Sequence, residues 1–140
     1  MSRKKVLVVD DEGQFLEMIK LRLEANGYEV ITACNGREAL EKIESDKPDV
    51  VFLDILMPQL DGVEALRAIR EKNKDLPVFI TTAFSTQERF KLAKGLDASG
   101  FIVKTGDLTK EIDNITSMLS LADKYKSRPF QHGIKKEPAP

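Results

Sequence analysis

The sequence predicts an α/β fold: a parallel sheet with helices on both of its faces. Three observations carry that prediction. Short apolar runs recur as Val6-Leu7-Val8-Val9, Val50-Val51-Phe52-Leu53, Val78-Phe79-Ile80 and Phe101-Ile102-Val103. Runs of that length without alternation suit strands buried on both faces. Segments with helical spacing separate them, so strand and helix alternate five times along the chain. Most of the runs also end in a polar residue, and open α/β sheets hold their ligands outside the carboxyl ends of their strands.

Each element has its own reason. Val6 to Val9 is the first strand and ends in Asp10-Asp11-Glu12. From Gly13 to about Asn26, Phe15, Ile19 and Leu23 recur every four residues with Leu16 beside them. That is one apolar helical stripe, closed by Asn26-Gly27. Tyr28 to Ala33 mixes Tyr28, Val30 and Thr32 with Glu29 and Ile31, a pattern that suits an edge strand. Asn35-Gly36 turns the chain, and Arg37 to about Ser45 is a short helix with Ala39, Leu40 and Ile43 inward. Pro48 precedes the third strand, Asp49 to Leu53, which runs into Asp54. Pro58 and Asp61-Gly62 mark a loop. Val63, Leu66 and Ile69 define a third helix to about Asn73.

Pro77 opens the fourth strand, which ends in Thr81-Thr82-Ala83. A fourth helix is expected over about 86–96. Gly100 leads into the fifth strand, which ends in Lys104. Asp107 is placed to cap the last helix, whose buried row is Leu108, Ile112, Ile115 and Leu119 and which runs to about Tyr125. One domain over 4–125 is expected. Residues 126–140 carry Pro129, Gly133, Pro138 and Pro140 with little apolar content and read as a flexible tail or truncated linker.

Bulk properties narrow the function. The 140 residues are 41% apolar and 32% charged, enough for one domain with a real core. Net charge is −1, so no general affinity for nucleic acid or an anionic membrane follows. The one cysteine, Cys34, excludes an internal disulfide and a cysteine cluster for zinc, which fits a reducing cytosol. No apolar run approaches the roughly 18 residues of a membrane span, and Met1 to Lys5 leads into a strand without an apolar signal region. His132 lies in the tail and reads as solvated. Lys135-Lys136 is too short a basic run for nucleic-acid binding.

The strand ends carry the chemistry. The first strand delivers Asp10 and Asp11, the third Asp54, the fourth Thr82 and the fifth Lys104. At about 4 Å and an effective dielectric near 20, each carboxylate pair would repel by roughly 4 kcal/mol. A bound cation removes that cost, and oxygen ligands in a partly open site suit Mg²⁺, or Mn²⁺ in its place. Lys104 supplies positive charge for a phosphoryl oxygen and Thr82 a hydroxyl donor for another. Asp54 is then a nucleophile able to form an acyl phosphate. Taken alone, Asp10-Asp11-Glu12 would equally suit the start of a helix, where negative charge is favoured.

Asp10-Asp11, Asp54 with Met57-Pro58 and Asp61-Gly62, Thr82-Ala83, and Phe101 three residues before Lys104 together resemble the receiver domain of bacterial response regulators (CheY-like). The resemblance covers roughly residues 4–125. It implies a flavodoxin-like (βα)5 fold with strand order 2-1-3-4-5. It implies Asp54 as phosphoacceptor; Asp11 and Asp54 as direct Mg²⁺ ligands with Asp10 acting through water; and the Leu56 backbone carbonyl as a further ligand. Thr82 and Lys104 would hold phosphoryl oxygens, and Phe101 would be the switch aromatic. The implied partners are a sensor histidine kinase or phosphotransfer protein and a downstream protein or output domain. The implied setting is a cytoplasmic monomer or weak homodimer. The family usually places a cis proline after the lysine, where this chain has Thr105-Gly106. A non-proline cis bond costs roughly 3–4 kcal/mol, so a trans bond or a shifted loop is expected. Leu56 and Phe84 flank the implied phosphoryl position with apolar side chains, which predicts a long-lived aspartyl phosphate.

Two other functions compete. A haloacid-dehalogenase-like phosphatase also uses a strand-end Asp nucleophile, but it needs a second Asp two residues later as general acid; Leu56 cannot transfer a proton. A degenerate receiver used only as a binding module would not need the acids and the lysine kept together.

Overall fold

The computed structural model describes residues 4–55, 62–82, 91 and 94–124. The strands are β1 (Lys5–Val9), β2 (Glu29–Ala33), β3 (Val50–Asp54), β4 (Val78–Thr82) and β5 (Gly100–Val103). The helices among the described residues are α1 (Gly13–Ala25), α2 (Gly36–Asp46), α3 (Gly62–Lys72) and α4 (Leu108–Lys124). Here α4 is the last helix of the chain. Most of the helix expected at 86–96, the loop expected after Asp54 and the tail expected at 126–140 lie outside the described residues.

The five strands are all parallel, in the order β2-β1-β3-β4-β5. This is the order the resemblance implies, with β2 at an edge. The central strand β3 is buried at every position. Side chains alternate across a strand, and that alternation divides the core in two. Val6, Val8, Val50, Phe52, Phe79 and Ile102 face α1 and α4, where Phe15, Ile19, Leu23, Ile112, Ile115 and Leu119 meet them. Leu7, Val9, Val51, Leu53, Val78 and Ile80 face α2 and α3, against Ala39, Val63, Leu66 and Ile69. The rings of Phe52 and Phe79 stack at 5.4 Å between centroids.

β5 differs from the strands inside the sheet. Its order places it at the other edge, and Val103 is 60% exposed. The helix ends follow local chemistry. Asn35 caps α2 by accepting from Glu38 N–H at 2.8 Å. Asp107 accepts from Lys110 N–H at 3.2 Å at the start of α4. Gly27, after α1, has φ +93°, which glycine tolerates.

Gly62 has a more specific role. Its N–H donates to the Ile55 carbonyl at 3.0 Å. A Cβ at this position would collide with the backbone of Asp54 and Ile55. The start of α3 therefore packs directly against the strand end that carries Asp54.

Candidate functional site

Strand alternation also aims the site. Asp10 continues the parity of Val6 and Val8, Asp54 that of Val50 and Phe52, and Lys104 that of Ile102. Parallel pairing brings the carboxyl ends of β1, β3 and β5 to the same rim. The three side chains meet there. Lys104 Nζ lies 2.5 Å from Asp10 Oδ2 and 3.3 Å from Asp54 Oδ2, with Glu12 at 3.8 Å. Asp10 is 1% exposed and Asp54 5%.

Asp11 completes the acid group. One carboxylate oxygen from each of Asp10, Asp11 and Asp54 lies within 4.8 Å of the others, with Asp11 exposed and the other two buried. Three convergent hard oxygen donors, one open to solvent, fit a divalent cation that keeps part of its water shell. The helix-start alternative for this acidic run holds for Glu12 by position alone. Glu12 occupies the N-cap position of α1 without a side-chain cap, and the first turn holds no acid. Glu12 N–H instead donates to Asp10 Oδ1 at 2.9 Å, which fixes the Asp10 carboxylate.

Lys104 is positioned through both its backbone and its side chain. Its N–H donates to the Thr82 carbonyl at 2.7 Å, which ties the end of β5 to the end of β4. Its Nζ sits 5.4 Å from the centroid of the buried Phe15 ring, within cation–π range. Burial works to lower the pKa of its ammonium. The Asp10 hydrogen bond and charge, and then Asp54, outweigh it and hold the pKa above the usual lysine value. The peptide bond after Lys104 is trans, as expected for Thr105, and the lysine still reaches both acids.

The remaining expected residues fall as follows. Thr82 is buried at the end of β4, one residue beyond Thr81, which pairs in register with Asp54. Phe101 is half-buried and packs against the core on the α2 and α3 side. Leu56, Phe84, Ala83, Met57, Pro58, Asp61 and His132 lie outside the described residues. Cys34 is exposed and donates to Glu38 at 3.2 Å; that hydrogen bond, with burial and the Glu38 charge behind it, raises the thiol pKa.

The structure also adds three residues that the sequence pattern did not single out. Phe15 read as one member of an apolar stripe, yet it underlies Lys104. Its signal was its place four residues after Asp11. Glu111 is an acidic residue only 6% exposed, and its carboxylate accepts from Gly106 N–H at 2.7 Å. Arg70 is 9% exposed and spends its guanidinium on the carbonyls of Asp97, Asn73 and Leu76 at 2.7–3.1 Å.

Known proteins resemble this chain in sequence and in fold. Residues 6–116 match the response regulator receiver domain family. The chain is 43% identical over 94 residues to the alkaline phosphatase synthesis transcriptional regulatory protein PhoP of Bacillus subtilis, covering 67% of this chain and 38% of that protein. It is 47% identical over 95 residues to the response regulator MprA of Mycolicibacterium vanbaalenii, covering 67% and 40%. The matched region thus spans about two fifths of those relatives' length. Among solved structures, a CheY-like receiver domain protein from Methanospirillum hungatei is similar at a TM-score of 0.77 and 28% identity, over 88% of this chain and 98% of that one. The response regulator TrrA of Thermotoga maritima, solved with Mg²⁺ and BeF, is similar at 0.69 and 38% identity, over 81% and 97%.

Proposed function

We propose, from the premise that this chain belongs to the response regulator receiver domain family, that it is a switch set by phosphate on Asp54. One observation supports the choice of residue above the others. Asp10 and Asp54 both join the acid group and both reach Lys104 Nζ, at 2.5 and 3.3 Å, and of the two Asp54 is the one at the end of the central strand β3, where the receiver resemblance puts the phosphoacceptor. It can therefore share a cation on one side and present its new phosphoryl group to an ammonium on the other.

In this reading an Asp54 oxygen attacks the phosphorus of a phosphohistidine on a sensor kinase or phosphotransfer protein. The O–P bond forms, the P–N bond breaks, and its electron pair returns to the imidazole. Lys104 and Thr82 bind the oxygens of the transferred group, and Lys104 leaves part of its contact with Asp10 to do so. Asp10, Asp11, Asp54 and the Leu56 carbonyl would hold Mg²⁺ or Mn²⁺. When bound, the metal supplies Lewis-acid stabilisation of the phosphoryl charge. The protein is regulatory and assists only its own phosphorylation and dephosphorylation.

The added charge, roughly −1.5 to −2 by analogy with other phosphoryl groups, then biases the surface formed by the 86–96 segment, β5 and α4. Phe101 is the switch aromatic. The receiver unit is 4–125 and residues 126–140 are a tail or a linker. A downstream protein or an output domain reads the surface, in the cytoplasm, with the receiver a monomer or weak homodimer that makes no direct contact with nucleic acid. Whole relatives such as PhoP are named as transcriptional regulators, which supports an output of that kind.

The test is phosphorylation by a small acyl-phosphate donor with Mg²⁺, read by intact mass. Wild type should gain one phosphoryl group and Asp54→Asn none. Equal gain by the two would overturn the assignment to Asp54, and no gain by wild type would leave the reading of a degenerate receiver.

A further inference from the structure

The geometry points to Glu111 as a positioning residue that holds the loop carrying Lys104, a role that rests on the phosphoacceptor reading of Asp54 and Lys104. The loop itself offers little to fix that lysine. Thr105, Gly106 and Asp107 are all exposed, and exposed loop backbone is held mainly by its hydrogen bonds. Gly106 has φ +88°, a conformation open to glycine and costly for most residues.

Glu111 answers that need. It stands on α4 beside Ile112, where an apolar residue would suit the core better, and the residue is 6% exposed. A buried carboxylate costs free energy unless it is partnered. Among the described residues it accepts one hydrogen bond, from Gly106 N–H at 2.7 Å. Further bonds close the loop around this contact. Asp107 N–H donates to Thr105 Oγ1 at 3.2 Å, and Glu111 N–H donates to the Asp107 carbonyl at 3.0 Å. Lys104 is thus anchored on two sides: its own N–H is bound to β4 at Thr82, and two residues later the chain is bound to α4. Without Glu111 the second anchor is lost, and Nζ is no longer held at both Asp10 and Asp54.

The experiment compares wild type with Glu111→Ala, Glu111→Gln and Glu111→Asp in the full chain. Three quantities are read: the Gly106 amide by NMR hydrogen exchange, thermal stability, and the rate of phosphorylation by acetyl phosphate with Mg²⁺ at a temperature where each variant is folded. Glu111→Ala should free the Gly106 amide and lower the maximal rate about tenfold, with the half-saturating donor concentration little changed, because misplacing a reacting group costs rate rather than binding. Glu111→Gln keeps an acceptor oxygen in place and should restore both amide protection and rate. Glu111→Asp keeps the charge but withdraws it by one methylene, so it should be slow. If Glu111→Ala does not fold, the Gln and Asp variants decide. A fast Asp variant, or equal rates for the two, overturns the inference. So does a folded Glu111→Ala that frees the Gly106 amide yet phosphorylates at the wild-type rate, since Glu111 would then serve only the helix start. A wild type that takes no phosphate on Asp54 overturns the phosphoacceptor reading and this inference with it.

Discussion

Arg70 and Lys104 are both cations with little exposure, at 9% for Arg70 and 11% for the Lys104 side chain, yet they face opposite kinds of partner. Among the described residues Arg70 donates to backbone carbonyls: Asp97 twice, Asn73 and Leu76. One of these, Asp97, has φ +67°, so the guanidinium secures a turn that a non-glycine residue adopts reluctantly. Burial pulls the Arg70 pKa down, with partial relief from the Asp97 and Asp75 charges. The group still stays protonated, as guanidinium does in proteins. Lys104 meets Asp10 and Asp54 instead, two carboxylates that raise its pKa against the effect of burial. Neutral carbonyls pointed at a planar fork have no other use. Carboxylates sharing one ammonium can exchange it for a metal or turn it toward a phosphate. A buried cation at the rim with the carboxylates marks a site, and a buried cation among carbonyls marks a clamp.

That contrast can be broken in several ways. The largest effect is expected from Lys104→Ala, which should slow Asp54 phosphorylation by about 100–1000-fold while the chain stays folded. Asp10 and Asp54 would then repel one another, so Mg²⁺ should raise the melting temperature of this variant more than that of wild type. Calorimetry with and without Mg²⁺, beside a phosphorylation time course, checks both statements. Arg70→Met should do the reverse. It strands carbonyls that need a donor and should cost about 3 kcal/mol in urea unfolding. Its phosphorylation rate, measured while folded, should match wild type.

Gly62→Ala gives a smaller loss. The new methyl would press on the backbone of Asp54 and Ile55, for roughly 2 kcal/mol of stability. Because the strain falls on the strand that carries Asp54, the phosphorylation rate should fall as well. The smallest effect is in pH. The Lys104 pKa is raised in the folded state, so its stabilising effect is complete below the ordinary lysine value. It is lost only as pH climbs through the higher, folded value. Wild type and Lys104→Met should therefore differ by a constant amount near neutrality and converge at strongly alkaline pH. A gap that closes on acidification through the neutral range would contradict the assignment.

The parts of this molecule that follow a period were legible in its sequence. The apolar runs placed four of the five strands, and Asp10, Asp54 and Lys104 were legible because each stands where such a run stops. The mixed pattern of Tyr28 to Ala33 marked an edge, and β2 is one. What could not be read is set by contact between distant elements. Phe15 looks like any other stripe residue until β5 brings Lys104 over its ring. Glu111 sits in a helix with many charged residues, and only the turn at Gly106 gives its burial a purpose. Arg70 looks like a solvated charge near a helix end, but its carbonyl partners include Asp97, which lies 27 residues later. The exposure of Val103 likewise follows from strand order at the sheet edge and not from composition.

The central claim is that the acids and Lys104 at the carboxyl rim form one phosphate site. Beryllofluoride with Mg²⁺, a stable mimic of an aspartyl phosphate, tests it most directly by NMR. The account predicts that adding the two together shifts Asp10, Asp11, Asp54, Thr82 and Lys104 and continues into β5 and α4, leaves Arg70 unmoved, and does nothing to Asp54→Asn. Shifts centred away from Asp54, or an equal response from Asp54→Asn, would contradict it.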